Sequence, residues 1–321
     1  MSVRRLRPKS FPSIRWSSGS QSSSFQMRVG GFARRAMPEV GGLAILAGRG
    51  SLPRLIAEQC QSTGRSYLVI SFEADPGGWV QGHPHQSHRF EKVGALFRAL
   101  CEAGCTEVVF AGAMDRPRLN PLAMDGRALS VAIRVLRLLR QGDDAMLRGL
   151  GEIFEQAGLR LVSAAECLPE GMLTASAGTL GQHKASAADQ QDARRAAEIL
   201  RALGPVDVGQ AVVVAGGVCL GIEAVEGTDA LLTRVADLPP AKRAHSPAPS
   251  GVLLKMPKPG QDRRVDLPTI GPRTVALASA AGLSGLVIEA EGVQLIDRAE
   301  LVAAADKAGL FLWSATPGDL S

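Results

Sequence analysis

The stretch Leu43-Ala-Ile-Leu-Ala-Gly-Arg-Gly-Ser-Leu-Pro53 runs from an apolar segment through a glycine-rich turn into a helical pattern. The apolar run 43–47 predicts a buried strand, and apolar residues recur at helical spacing beyond the turn. Pro53 suits the first turn of that helix, where its missing N–H costs nothing. A strand, a glycine turn and a helix in this order predict an α/β fold with a parallel sheet.

The turn over residues 48–52 has two interpretations. Its backbone N–H groups and the helix N-terminus are suited to an anion such as phosphate. Alternatively, its glycines only allow a tight connection. Pro53 stands where a dinucleotide fingerprint has its third glycine, which disfavours a nicotinamide site. The substrate contacts predicted here are Gly48, Gly50, Ser51 and Leu52.

Two further strands are predicted at residues 67–72 and 107–111. Gly112 follows the second of them, at the edge of an open α/β sheet where ligands bind, and is a predicted substrate contact. Asp115 and Arg116 in the same loop either contact a ligand or pair with each other.

Three histidines, His83, His85 and His88, make an H-x-H-x-x-H cluster. Imidazole is a common metal ligand, so the spacing invites a metal site. Pro84 interrupts the cluster and glycines precede it, which favours a solvated loop instead.

The predicted fold class is α/β, with two α/β domains. The N-terminal one is Rossmann-like with a parallel sheet, and the C-terminal one has a mixed sheet plus helices. An amphipathic helix is predicted over 127–140. The predicted parts are a basic tail over 1–40, an N-terminal domain over 41–167, a linker over 168–180 and a catalytic domain over 181–321.

The net charge of +5 in 321 residues comes from the tail. Residues 1–40 hold eight basic side chains against one acidic, so the rest of the chain carries −2. This distribution predicts no nucleic-acid partner. The tail resembles a transit peptide in composition, although a natural start at Met37 is preferred. No run approaches the ~18–20 apolar residues of a membrane span.

The densest polar segment, Glu223 to Asp229, lies between a predicted strand and a predicted helix. Three acids in seven residues supply the oxygen ligands that Mg²⁺ prefers. Alternatively, Thr228 or Asp229 only caps the helix.

A basic segment over residues 255–268 follows, and its prolines predict a non-helical, extended backbone. Its cations suit the oxygens of a polyphosphate. Acidic and basic clusters this close in sequence indicate metal-assisted phosphoryl chemistry.

These segments resemble the LpxI-type UDP-2,3-diacylglucosamine pyrophosphatases of lipid A biosynthesis. The matching segments, which are collinear, are 43–53, 92–97, 108–113, 142–145, 207–214, 226–229 and 255–271. The last two of these are long and unusual enough to be specific to the family.

The resemblance implies Mg²⁺-dependent hydrolysis of UDP-2,3-diacylglucosamine to UMP and 2,3-diacylglucosamine 1-phosphate (lipid X). Water attacks the α-phosphorus, and the substrate lies between two domains. The essential aspartate of the family's Glu-Gly-Thr-Asp motif carries over to Asp229. Arg49 is a departure, because the family commonly has glycine there.

On this basis we expect Asp229 to orient water or bind Mg²⁺, with help from Glu226 and Glu223. Lys255 completes the catalytic set and neutralises the diphosphate. The further substrate contacts predicted in this half are Thr228, Lys258, Gln261, Arg263 and Arg264. The predicted metal ligands are Asp229, Glu223, Asp262 and Asp266.

The resemblance also implies a cytoplasmic enzyme, with peripheral association at the inner membrane and a homodimer as further expectations. Two other functions stay open. One is a nucleotide-dependent oxidoreductase that uses the first glycine turn, with Glu73 as its ribose ligand. The other is a non-catalytic protein that binds a diacyl sugar phosphate.

Overall fold

The computed structural model describes residues 41–72, 77–114, 131, 134, 143–239 and 250–321. The predicted tail over 1–40, the candidate loop residues Asp115 and Arg116, and nearly all of the helix predicted over 127–140 lie outside them. Within the described ranges, no helix is both long and apolar enough to cross a membrane.

A parallel sheet forms the N-terminal half, as the sequence predicts. Its strand order is β3-β2-β1-β4-β5. The strands are β1 (Gly42–Ala47), β2 (Tyr67–Phe72), β3 (His85–His88), β4 (Cys105–Ala111) and β5 (Arg160–Leu161). The helices that accompany them are α1 (Leu52–Thr63), α2 (Val93–Glu102) and α3 (Asp143–Gln156).

Strand β1 lies at the centre of this sheet and is buried along its whole length. Ile45 packs in the core under α1, whereas Leu46 packs in the core under α2 and α3. A strand that is covered on both faces must be apolar throughout, which explains the run at 43–47. The strand order reverses between β1 and β4, so the turns after them meet at the sheet's switch point.

The segment around His83, His85 and His88 is not the predicted solvated loop. His85–His88 form β3, an edge strand that pairs in parallel with β2. Ser71 Oγ lies 2.9 Å from His85 Nε2, and Tyr67 Oη lies 2.5 Å from His83 Nδ1. Pairing with β2 outweighs the glycine and proline signals, which describe only local backbone preference.

A mixed sheet forms the C-terminal half, which confirms the second part of the predicted fold class. Its order is β6-β13-β11-β9-β7-β8, and β10 and β12 form a separate pair. The strands are β6 (Gly178–Thr179), β7 (Ala211–Ala215), β8 (Val218–Ile222), β9 (Val252–Lys255), β10 (Thr269–Ile270), β11 (Gly285–Glu289), β12 (Gln294–Leu295) and β13 (Phe311–Ala315). The helices are α4 (Ala187–Leu203), α5 (Gly227–Ala236), α6 (Pro272–Ala280) and α7 (Arg298–Ala308).

The two halves pack against each other within one compact unit. Val265 of the basic segment is buried in the core under α2 and α3, and Ile296 packs against the core under α1. Strand β6 begins inside the predicted linker 168–180 and pairs with β13. The predicted domain boundaries themselves stay predictions.

Candidate active site

The β1–α1 turn is joined to the loop after β4 by two backbone hydrogen bonds. The Arg49 N–H donates to the Ala113 carbonyl at 2.8 Å, and the Ala113 N–H donates to the Arg49 carbonyl at 3.0 Å. A Cβ atom on Gly48 would lie 2.5 Å from the Ala113 oxygen, and one on Gly112 would lie 2.3 Å from the Arg49 oxygen. Both glycines are therefore needed for this close approach, and their substrate contacts stay predictions.

The N-terminus of α1 follows this bridge. Gly50 has a φ of 102°, a conformation that favours glycine. Ser51 is the exposed N-cap residue, and its hydroxyl makes no capping hydrogen bond. The Leu52 side chain packs in the core under α1, so any substrate contact from this residue would fall to its backbone N–H.

A buried chain of hydrogen bonds links three side chains of the C-terminal half. Lys255 ends β9, Glu223 follows β8, and Thr228 lies in the first turn of α5. Lys255 Nζ donates to Thr228 Oγ1 at 2.6 Å, and Thr228 Oγ1 donates to Glu223 Oε1 at 2.6 Å. Lys255 is 7% exposed, Thr228 is 9% exposed and Glu223 is 8% exposed. We call them the lysine relay.

The Lys255 ammonium is held in an acidic environment. Burial lowers its pKa, and the carboxylates of Glu223, Asp266 and Asp229 oppose that effect. Nζ also donates to the Thr269 carbonyl at 2.9 Å. A buried charge needs such partners. Three of the acids that the sequence assigns to a metal therefore act on a cation that the protein itself supplies.

Asp229 and Glu226 lie at the N-terminus of α5, and both pair with arginines. Arg273 Nε lies 2.6 Å from Asp229 Oδ2, and an Arg234 guanidinium nitrogen lies 3.0 Å from Glu226 Oε1. The Asp229 side chain is 48% exposed and stands in the first helical turn, where the helix dipole attracts negative charge. Asp229 thus combines solvent access with closeness to the lysine relay, as its predicted role requires.

Gln261 is 8% exposed and is used inside the protein. Its amide nitrogen donates to Asp266 Oδ2 at 2.9 Å, and its oxygen accepts from the Lys258 N–H at 2.9 Å and from the Gln210 side chain at 2.8 Å. The Gln210 N–H donates in turn to Glu223 Oε2 at 2.9 Å. Gln261 therefore supports the backbone that carries Lys258.

Lys258 and Arg263, two of the three further basic residues predicted to bind diphosphate, both pair with acidic side chains. Lys258 Nζ pairs with Asp207. Arg263 donates to Glu289 Oε1 at 2.6 Å, and its side chain is 53% exposed whereas that of Glu289 is 7% exposed. Glu289 ends β11, next to β9, so Arg263 lies at the same carboxyl edge of the sheet as Lys255.

Arg264 joins the two halves of the chain. Its guanidinium donates to the two oxygens of Asp262 at 3.0 and 2.8 Å, and to Glu155 Oε1 of α3 at 2.8 Å. Hydrogen bonds from Arg264 lower the pKa of Asp262, and those to Asp262 raise the pKa of Arg264. The structure therefore gives this predicted phosphate contact a bridging role.

The four predicted Mg²⁺ ligands do not meet at one point. In the part of the chain that the structure describes, no three His, Cys, Asp or Glu side chains are grouped so as to hold a metal ion. Both Glu223 oxygens accept hydrogen bonds, and Asp262 and Asp266 are engaged as described. Asp229 fits best, because Mg²⁺ commonly uses one or two carboxylates together with phosphate oxygens and water.

Several residues of this site escaped the sequence prediction. The strand register places Ala211 beside Lys255, which brings the preceding Gln210 to the relay. The sequence could have pointed to Gln210, because this residue lies in the matching segment 207–214. Arg273 had a weaker signal, as a cation in the first turn of α6. The other partners that were missed are Asp207, Glu155, Thr269 and Glu289.

Comparison with known proteins agrees with this architecture. The family model of the LpxI N-terminal domain matches residues 42–171, and that of the LpxI C-terminal domain matches residues 176–313. The curated UDP-2,3-diacylglucosamine pyrophosphatase LpxI of Caulobacter vibrioides (strain ATCC 19089 / CIP 103742 / CB 15) is 40% identical over 277 residues, which are 86% of this chain and 98% of that protein. The chain therefore belongs to the LpxI family.

Proposed function

We propose that this protein hydrolyses the pyrophosphate bond of UDP-2,3-diacylglucosamine, with UMP and 2,3-diacylglucosamine 1-phosphate (lipid X) as products. The observation that carries the proposal is a buried ammonium, Lys255, next to a half-exposed carboxylate, Asp229, at a helix N-terminus. A cation and a carboxylate so placed suit an attack of water on a charged phosphorus centre. The activity for which the relative from Caulobacter vibrioides is named agrees with this chemistry.

In this proposal Asp229 orients the water that attacks the α-phosphorus. Arg273 holds one oxygen of Asp229, and the other oxygen serves the water. The Lys255 ammonium and the Arg263 guanidinium neutralise the negative charge that builds up on the diphosphate oxygens. Positive groups fixed in advance are effective here because they need no reorganisation during the reaction.

We further propose that the reaction depends on Mg²⁺. The Asp229 oxygen that faces the water would also hold the ion, together with oxygens of the substrate diphosphate. When bound, Mg²⁺ supplies Lewis-acid polarisation of the phosphoryl oxygens. The lysine relay supplies positive charge of its own through the buried Lys255 ammonium. Neutralisation of the diphosphate by Lys255 therefore does not depend on the ion.

The acyl chains need an apolar surface near this chemistry. Val225 is fully exposed, and it lies four residues before Asp229, in the turn that leads into α5. We propose that Val225 contacts the acyl region of the substrate and that the protein associates reversibly with the inner membrane. The expected homodimer stays a prediction.

The test is an assay of UMP release from UDP-2,3-diacylglucosamine in detergent, with Mg²⁺ and with EDTA. We expect release with Mg²⁺ and its loss with EDTA. Binding of the substrate without any UMP would indicate the carrier function instead. UMP release that is unchanged by EDTA would contradict the Mg²⁺ dependence alone.

A further inference from the structure

Thr228 lies at the centre of the lysine relay. Its hydroxyl accepts a hydrogen bond from Lys255 Nζ at 2.6 Å and donates one to Glu223 Oε1 at 2.6 Å. The direction is fixed, since an ammonium can only donate and a carboxylate can only accept. With its hydroxyl proton committed to Glu223 and its oxygen accepting from Lys255, Thr228 is already engaged on both sides inside the protein.

The relay is anchored to the backbone at both ends. The Gln210 N–H donates to Glu223 Oε2 at 2.9 Å, which fixes the carboxylate that receives the Thr228 proton. At the other end, Nζ donates to the Thr269 carbonyl at 2.9 Å. Among the residues that the structure describes, Thr228 and Thr269 account for two of the three N–H donors of Lys255. The third donor is then available to a substrate oxygen.

The same residue also fixes where Asp229 stands. Thr228 and Asp229 are neighbours in the first turn of α5, and the Thr228 side chain points inward to Lys255 while Asp229 reaches solvent. A hydrogen bond from Lys255 to Thr228 therefore sets the ammonium relative to the carboxylate, across two elements, β9 and α5, that are separate in sequence.

We propose that Thr228 is a positioning residue, which holds the Lys255 ammonium in place beside Asp229 so that its third N–H meets the diphosphate. This inference rests on the proposed function. It changes the role predicted for Thr228 from a substrate contact to a support of the group that makes the contact. Misplacement of a reacting group by ~1 Å costs about 100-fold in rate.

The experiment measures kcat and KM for UMP release from UDP-2,3-diacylglucosamine with Mg²⁺, using the full chain and three variants. Thr228→Val keeps the shape of the side chain and removes the hydroxyl, whereas Thr228→Ser keeps the hydroxyl. Thr233→Val is the control, since Thr233 is exposed on the same helix and, among the described residues, its hydroxyl donates only to the backbone carbonyl of Asp229 and not to the lysine relay. Rates are expressed per folded protein from circular dichroism.

We expect Thr228→Val to lower kcat by about 10- to 100-fold with KM within about twofold of the wild-type value. Thr228→Ser should restore kcat to within about threefold, and Thr233→Val should match the wild type. A folded Thr228→Val enzyme with wild-type kcat overturns the inference, as does a serine variant that is as slow as the valine variant.

Three outcomes complete the test. If Thr228→Val does not fold, Thr228→Ala compared with Thr228→Ser isolates the same hydroxyl oxygen, and equal kcat values overturn the inference. If the wild-type protein releases no UMP, the proposed function itself fails and the inference fails with it. An active wild type with an unaffected valine variant leaves the proposed function standing and removes only the role of Thr228.

Discussion

Lys255→Met removes the ammonium from the lysine relay while keeping a side chain of similar length. The lost charge is a buried donor that we propose faces the substrate, and removal of one such preorganised donor costs about 10²–10³ in kcat, or roughly 2.7–4 kcal/mol. The stability cost has opposing parts. The Thr269 carbonyl loses its donor, which costs about 1–3 kcal/mol, and the buried Glu223 carboxylate is left without its cation, which adds to that cost. Part of the cost is offset because the ammonium no longer has to be desolvated.

We therefore expect Lys255→Met to unfold at a lower temperature than the wild type, and its folded fraction to show kcat for UMP release lowered by about 100- to 1000-fold. The matched control is Lys307→Met, because Lys307 is exposed in the last turn of α7. The assay is initial-rate UMP release at saturating substrate, with thermal unfolding followed by circular dichroism. A folded Lys255→Met protein that keeps more than about a tenth of the wild-type kcat would refute the role of the buried ammonium.

Three other predictions follow from the same structure. Asp229→Asn should fold and lower kcat about 10²–10⁴-fold, and a turnover above a tenth of the wild-type value would contradict its role. Val225→Asn should raise KM for the diacyl substrate about tenfold, because burying a valine side chain contributes about 1.5 kcal/mol. The same variant should leave KM unchanged for UDP-glucosamine, which has no acyl chains. Burial raises the pKa of Cys105 to about 11 and that of Cys167 to about 12. A thiol reagent at pH 8 should therefore label these two cysteines far more slowly than the exposed Cys101 and Cys219. Equal labelling rates would contradict the burial of Cys105 and Cys167.

The regular elements could be predicted from the sequence because their signals are local. The strand at residues 67–72 matches its prediction at both ends, and the apolar run at 43–47 identifies a strand that is buried on both faces. The edge strand at 85–88 was not predictable in this way. Its side chains are polar because this edge of the sheet meets solvent. The segment becomes a strand because it pairs with β2, and its own composition does not predict one.

The chemistry of the site was predictable in kind but not in arrangement. Of the cations of 255–264, Lys255 does meet the acids of 223–229, at one edge of the C-terminal sheet. Their pairing depends on tertiary contacts, such as the register that places Gln210 beside the relay. A local pattern of three acids predicts a bound cation, yet sequence spacing cannot show that Lys255 enters the same acidic environment from another strand.

The basic segment over residues 255–268 serves two purposes, and this explains why its cations cannot all bind phosphate. Lys255 faces the relay, whereas Arg264 turns to Glu155, 109 residues earlier in the chain, and Val265 packs beside it in the core under α2 and α3. A partly exposed ion pair contributes only about 0–1 kcal/mol, so the buried valine provides most of the attachment and Arg264 sets its direction. Because the same short segment carries Lys255 and Lys258, we expect a shift of the N-terminal half against the C-terminal half to move the groups that we propose meet the diphosphate.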